Sequence, residues 1–254
     1  MSDRVVLLGH HIGYSASPAM HNAAFASLGI EARYELADVT AAELPTAVDA
    51  LRLPGSIGAN VTQPHKVPVC DLVDELRPEV DRLGAANTIV RDEDRLVAHN
   101  TDLAAVRAEL MSMGSVTRAV VLGTGGASRA VQAALANAGV ETVAVDRERW
   151  ESLPKLLAGA DVLVNATPIG TASDDSPLPA HLLHPGLSVL DLVYRPSPTR
   201  LVRDARAAGA RARGGAGMLL RQAAASFALW TGHPAPIDVM RDALRAELGP
   251  ETDA

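Results

Sequence analysis

The sequence predicts an α/β fold made of two α/β domains, the second a Rossmann-type dinucleotide-binding domain. Three features carry the prediction: strands alternate with helices along the whole chain, one strand runs into a glycine-rich turn, and two helices close the chain with no strand after them. VVLLG (5–9), YELADV (34–39), IGANVT (57–62) and NTIV (87–90) are short apolar or β-branched runs and read as strands. Helical spacing near 18–28, 41–51 and 65–76 fills the gaps. A second series follows: AVVLG (119–123), TVAVD (142–146), VLVNAT (162–167) and SVLDLVY (188–194). These runs are nearly continuous in apolar character, as parallel strands covered on both faces must be. Helices are expected at 126–139, 149–160 and 197–209, each closing on a glycine or small residue. The last two, 217–232 and 236–248, must pack on a sheet already formed. LVAHN passes into DLAAVRAELMSMG near Asn100 to Leu103, which is the expected hinge.

Composition narrows the partners. Of the 254 residues 48% are apolar, enough to bury a sizeable core, and the net charge of −7 is spread without a basic block. No nucleic acid and no membrane surface is expected as a partner, and a small molecule is. No apolar run reaches the ~18 residues of a membrane span and the first residues lack a signal-peptide core, so a cytoplasmic location is expected. Besides a small molecule, the partner expected is at most a second copy, as a monomer or homodimer. Cys70 is the one cysteine, which excludes an internal disulfide and a multi-thiolate metal site; it reads as a small buried hydrophobe. The eight histidines show no HExxH spacing, and no metal is expected.

GTGGASRA follows a strand and opens an alanine-rich helix. Gly123, Gly125 and Gly126 allow a tight turn and let backbone N–H groups reach a pyrophosphate at a helix N-terminus. Ser128 stands in the third glycine slot of the usual fingerprint. Asp146, ending the second strand of this series, can accept hydrogen bonds from ribose hydroxyls and would repel a 2′-phosphate, which leans the cofactor, NAD or NADP, toward NAD. Arg147 could instead clamp a 2′-phosphate, with Glu148 weakening the positive field beside it.

The first half holds polar residues that strands do not need. Asn60 and Thr62 fall on one face of an ending strand, since side chains alternate with period two; Pro64 terminates it and Lys66 follows as a helix begins. GAANTIV adds Asn87, and HNTD adds Asn100, Thr101 and Asp102. Reduction of a ketone builds negative charge on oxygen, which an ammonium group stabilises and protonates. Lysine suits this work because its pKa moves readily, and in a chain with only Lys66 and Lys155 the choice falls on Lys66, with the Asp102 carboxylate to orient it. In GYSASPAMHN, Ser17 before Pro18 reads as an N-cap, whereas Ser15 has no such explanation and reads as an anion ligand.

SASPAMHN, GANVTQPHK, AANTIV, HNTD, GTGGASRA, NATPIG, DLVYRPSPT and GAGMLLRQAAASFALWTG, in this order, resemble the shikimate dehydrogenase family, including its quinate/shikimate members. The resemblance implies two domains flanking a cleft: an N-terminal substrate domain of residues 1–101 with 217–254, and an NAD(P) domain of 102–216. It implies reversible reduction of 3-dehydroshikimate to shikimate, in aromatic amino-acid biosynthesis. By motif, Ser15 and Ser17 would bind the substrate carboxylate. Asn60, Thr62, Asn87, Asp102 and Gln222 would bind ring hydroxyls, with Tyr194 near the substrate and Lys66 with Asp102 the catalytic pair. Gly123, Gly125, Gly126 and Ala127 would cradle the pyrophosphate. Asp146 and Arg147 would meet the adenosine ribose, Thr167 would lie along the cofactor and Gly217 near the nicotinamide. The chain departs from the family pattern with Leu103 where glycine is usual, His11 where proline is common, Tyr14 where histidine is common, and DRE (146–148) for an NRT-like sequence. Two other readings stand beside this one: a quinate or amino-shikimate-type dehydrogenase, and a non-catalytic dinucleotide-binding regulator.

Overall fold

The computed structural model describes residues 3–254. These form two compact units: residues up to Thr101 together with Leu220–Glu247, and Asp102–Leu219 together with Leu248–Ala254.

The first unit contains β1 (Asp3–Gly9), α1 (Ser17–Ser27), β2 (Ala32–Asp38), α2 (Leu44–Asp49), β3 (Ser56–Val61), β4 (Glu75–Leu76), α3 (Pro78–Leu83), β5 (Thr88–Asp92) and β6 (Arg95–His99). Its sheet has the order β2-β1-β3-β5-β6-β4. Strand β1 pairs in parallel with β2 and β3, whereas β5 runs antiparallel to both β3 and β6. The pleat sends Val6, Leu8, Ala59 and Val61 to one face, where they pack with Leu44, Val48 and Val80. On the other face α1 presents His21 and Phe25; His21 is fully buried, stacked 4.4 Å from Tyr34, and burial lowers its pKa to about 3, so it stays neutral. Asn22 of α1 binds both backbone groups of Tyr34, at 3.0 Å to the carbonyl and 2.8 Å from the amide. This covers part of an edge strand.

The segment expected as a helix at 65–76 is not one. Pro64 and Pro68 withhold two backbone donors, the chain makes turns and a 3-10 turn at Pro68–Asp71, and Glu75 and Leu76 are drawn into pairing with β6. Cys70 lies here half-buried rather than in the core proper.

The second unit contains α4 (Asp102–Met111), β7 (Arg118–Leu122), α5 (Gly126–Asn137), β8 (Glu141–Val145), α6 (Leu153–Leu157), β9 (Val162–Asn165), β10 (Ser188–Asp191), α7 (Arg200–Ala207) and β11 (Arg211–Arg213). The last two helices, α8 (Ala216–Thr231) and α9 (Ile237–Leu248), follow. Its five strands are all parallel, in the order β11-β10-β9-β7-β8. Alternate residues feed two cores: Val120 and Leu122 pack with Leu157, Leu201 and Val202, while Ala119 and Val121 pack with Val106, Leu110, Val131 and Leu135. The helix expected over 149–160 is a 3-10 turn, Arg147–Ser152, followed by the single turn and a half of α6, because Pro154 can sit only in a helix's first turn. Strand β11 is too short and too rich in arginine to show in a hydropathy pattern.

At the end of β10, Asp191 is buried and accepts from Asn165 Nδ2 (2.8 Å), the Val193 amide (3.0 Å) and Thr199 Oγ1 (2.7 Å). Thr199 in turn accepts from the Val202 amide at 3.3 Å and caps α7. Burial outweighs these three donors and raises the Asp191 pKa from 3.8 to about 6. In the unfolded chain the group ionises first, so its contribution to stability is complete below pH ~4 and is lost as pH rises toward 6, by about 3 kcal/mol for two pH units. Urea denaturation of the parent and of Asp191→Asn between pH 4 and 7 should therefore show the parent losing stability relative to the variant; parallel curves would contradict the assignment.

Candidate active site

In the first unit the strand order reverses at β1, with β2 on one side and β3 on the other, so the segments after β1 and β3 leave from the same end of the sheet. The two segments are tied together. The His10 amide donates to the Gln63 carbonyl (3.1 Å) and the Thr62 amide to the Leu8 carbonyl (2.8 Å). Gly9 leaves no room for a side chain: a Cβ would stand 2.5 Å from both Ile12 Cγ2 and Thr62 Cγ2. Ser15 and Ser17, on the first segment, and Thr62 and Lys66, on the second, therefore start from a common edge. The Lys66 carbonyl accepts from the Ala86 amide at 2.8 Å, and the buried His65 is anchored at 2.8 Å to the Val39 carbonyl. Lys66 thus sits on a braced turn, not at a helix start.

The capping part expected of Ser17 falls to Ser15. Helix α1 begins at Ser17 itself, and Ala16 flanks it without a side-chain cap. The oxygen that meets the helix backbone belongs to Ser15, which accepts from the Ser17 amide at 3.3 Å; Ser17 is buried.

Behind this edge lies a buried polar network. Asn87 donates to Thr101 Oγ1 (2.8 Å) and Gln222 Oε1 (3.4 Å), and its Oδ1 accepts from the Thr101 amide (2.8 Å) and the Thr88 hydroxyl (3.1 Å). Asn60 accepts from the Tyr34 hydroxyl (2.8 Å) and donates to the Asn87 carbonyl (3.0 Å), with Thr88 Oγ1 and Ser226 Oγ each at 3.1 Å. Ser226 also lies 2.8 Å from Thr88 Oγ1 and 3.2 Å from Thr101 Oγ1. Asn60 lies within β3 and Thr62 just past its end. Gln222 and Ser226 reach the sheet because α8 lies close upon it. Gly58 permits this: at φ +154, a Cβ would fall 2.2 Å from the Ile89 carbonyl oxygen and 2.6 Å from Trp230 Nε1, which itself donates to that oxygen at 2.9 Å. Sequence reasoning missed Tyr34, Thr88 and Ser226. A signal for Ser226 was present: it follows Gln222 by one helical turn and so shares its face.

In the second unit the strand order reverses between β7 and β9, the place where open α/β sheets bind ligands. Gly123 follows β7 with φ +101, and a Cβ there would meet the Ala166 carbonyl oxygen at 3.0 Å and Thr167 Cγ2 at 3.2 Å. Gly125 flanks α5, no side chain caps that helix, and nothing stands within 4 Å of where a Gly125 Cβ would be. The first turn of α5, with Gly126 and Ala127, is thus open to an anion, and these residues fit a dinucleotide pyrophosphate. Ser128 replaces the third glycine by a bond: its hydroxyl donates to the Gly123 carbonyl at 2.7 Å and accepts from Gln132 at 3.0 Å. Thr167 donates to Asn165 Oδ1 (2.7 Å) and accepts from the Ile169 amide (3.2 Å), which shapes the segment after β9. Tyr194 follows β10, half-buried. Gly217 has a packing reason of its own, since a Cβ would lie 2.7 Å from Glu109 Oε1. Asp146 caps the 3-10 turn after β8, its Oδ1 accepting from the Arg149 amide at 3.1 Å, and Arg147 beside it is exposed.

One sheet ends in an anion cradle and the other in hydroxyls, amides and a lysine, the equipment of a two-domain dinucleotide-dependent oxidoreductase. Comparison with known proteins makes this particular. Residues 7–89 match the shikimate dehydrogenase substrate binding domain and residues 215–245 the shikimate 5'-dehydrogenase C-terminal domain. The chain is 42% identical to the shikimate dehydrogenase (NADP(+)) of Natronomonas pharaonis, over 95% of this chain and 98% of that one. It superposes with a TM-score of 0.87 and 38% identity on shikimate 5-dehydrogenase from Thermus thermophilus in complex with NADP(H) and shikimate, covering 97% of this chain and 100% of the other. Quinate dehydrogenase from Corynebacterium glutamicum in complex with NAD is similar at 30% identity and a TM-score of 0.85, covering 96% and 99%. The chain belongs to the shikimate dehydrogenase family. The leaning toward NAD is not supported by the relatives named for NADP or bound to it, and Asp146, on which it rested, also serves as a cap through its Oδ1. Among the described residues no helix is long and apolar enough to cross a membrane.

Ser226→Ala removes the hydroxyl shared by Asn60, Thr88 and Thr101 and should cost about 1–3 kcal/mol, the usual penalty for a buried polar group left unpaired. Urea denaturation measures this, and a cost near zero would mean that the network does not depend on Ser226.

Proposed function

We propose that the chain catalyses the reversible, NADP-dependent reduction of 3-dehydroshikimate to shikimate. The observation that carries this reading is the buried amide–hydroxyl network around Asn87, at the edge from which the Ser15 and Lys66 segments also start. Such a network matches a ligand with several ring hydroxyls. A hydroxyl, donor and acceptor at once, can replace the longest of its bonds, the 3.4 Å contact of Asn87 with Gln222.

In this reading the hydroxyls of Ser15 and Ser17 hold the substrate carboxylate, aided by the N-terminal field of α1. Asn60, Thr62, Asn87, Asp102 and Gln222 meet the ring hydroxyls, with Tyr194 beside the substrate. Lys66 holds the proton that the carbonyl oxygen takes up as the ketone becomes an alcohol, and recovers it in the oxidative direction. Asp102, buried at the start of α4 and next in the chain to Thr101, orients the Lys66 ammonium. The bound dinucleotide supplies or accepts the hydride. Gly123, Gly125, Gly126 and Ala127 hold its pyrophosphate, Thr167 and Gly217 line its path, and Arg147 takes the 2′-phosphate where Asp146 is occupied as a cap. The single cysteine and dispersed charge accord with a cytoplasmic location.

The likeness to a quinate dehydrogenase keeps quinate as the second reading, and the retention of both Ser15 and Ser17 favours shikimate. A regulator without activity would not need Lys66 and Asp102.

Lys66→Ala should lower kcat for shikimate oxidation by about 10²–10⁴, the usual contribution of a general acid–base group, with modest change in shikimate affinity. An unchanged kcat would remove Lys66 from the chemistry. Arg147→Ala should raise KM for NADP about tenfold, or ~1.4 kcal/mol, and leave KM for NAD nearly unchanged; equal effects on both would place the 2′-phosphate elsewhere.

A further inference from the structure

We propose that His10, His11 and Asp38 form a binding site for a divalent transition-metal ion such as zinc. His10 and His11 follow β1, and Asp38 ends β2; the parallel register that sets Gly9 opposite Asp38 brings the three together. Their candidate ligand atoms, one imidazole nitrogen from each histidine and one carboxylate oxygen, all lie within 4.8 Å of one another. Small side-chain rotations close such a set around an ion.

Three observations separate this cluster from a chance meeting of surface side chains. The carboxylate is aimed by backbone groups, since Asp38 accepts from the His11 amide (3.0 Å) and the Ile12 amide (3.3 Å), as carboxylates that ligate metals are usually held by outer hydrogen bonds. His11 has φ +56, a left-handed conformation uncommon outside glycine, and backbone of this kind tends to be kept where it serves a site. With that backbone the two rings lie 3.8 Å apart between centroids, tilted by 35°. Finally, His10 Nδ1 is already 3.0 Å from Asp38 Oδ1, so the ion takes the place of the proton now shared between them.

Two imidazoles and one carboxylate are a borderline donor set that suits zinc, nickel and copper(II) over magnesium or calcium, and solvent at this exposed edge completes the coordination. Sequence spacing hides the site because strand pairing, not a motif, assembles it. It shares no residue with the groups proposed for the reaction.

Isothermal titration of the full chain with zinc chloride, in a non-coordinating buffer after treatment with a chelator, tests the proposal. One zinc ion per chain is expected, with a Kd in the micromolar range. His11→Ala and Asp38→Asn should each weaken it at least tenfold, while His233→Ala, at an exposed histidine elsewhere, should bind as the parent does. Circular dichroism establishes that each variant is folded. Absence of saturable binding by the parent, or binding by both site variants equal to the parent's, would overturn the proposal. The readout is metal binding alone, so either result leaves the dehydrogenase reading to its own tests.

Discussion

The first unit is organised around a polar group that cannot be left unpaired. Asn87 enters the interior at the edge of β5, and a buried amide without partners costs several kcal/mol. Its partners come from four places in the chain: Thr101 after β6, Thr88 beside it, Asn60, whose Nδ2 donates to the Asn87 backbone carbonyl, and Gln222 from α8. Meeting that requirement draws α8 onto the sheet, which demands Gly58 where the helix comes closest. A set of hydroxyls and amides so fully paired is rigid, and a rigid set is what positions a polyhydroxy ligand to within a fraction of an ångström.

Both sheets solve the same topological problem in the same way. In each, the second strand lies on one side of the first and the third on the other, and ligands of open α/β sheets bind where the order reverses. Two glycines mark these points. Gly9 leaves β1 where the segments bearing Ser15 and Lys66 begin, and Gly123 leaves β7 where the segment bearing Thr167 passes within contact of the turn. The glycine at each point answers to the closeness of the neighbouring segment.

Much of this was legible in the sequence, for identifiable reasons. The parallel strands of the second unit are almost pure apolar runs, so β7 to β10 fall where hydropathy puts them. Short elements whose existence depends on pairing, β4 and β11, leave no such trace. The false helix at 65–76 shows apolar spacing without two of its backbone donors: Val69 enters the core, and half-buried Cys70 and Val73 pack against it, from turns rather than from a helical face. Among site residues, placements that follow from residue type, such as the glycine-rich turn between β7 and α5, could be read directly. Roles that depend on a partner could not. The bond from the Arg149 amide to Asp146, and the bond from the Ser17 amide to Ser15, which reads from sequence only as an anion ligand, depend on such partners.

The chain is a shikimate dehydrogenase family member, and in the proposed function its network, lysine and anion cradle work on one substrate with NADP. The most direct test is steady-state kinetics on the parent chain, following formation of reduced nicotinamide with shikimate or quinate and with NADP or NAD. The account predicts that shikimate with NADP gives the highest kcat/KM of the four combinations. No turnover in any of them, alongside tight dinucleotide binding, would contradict it.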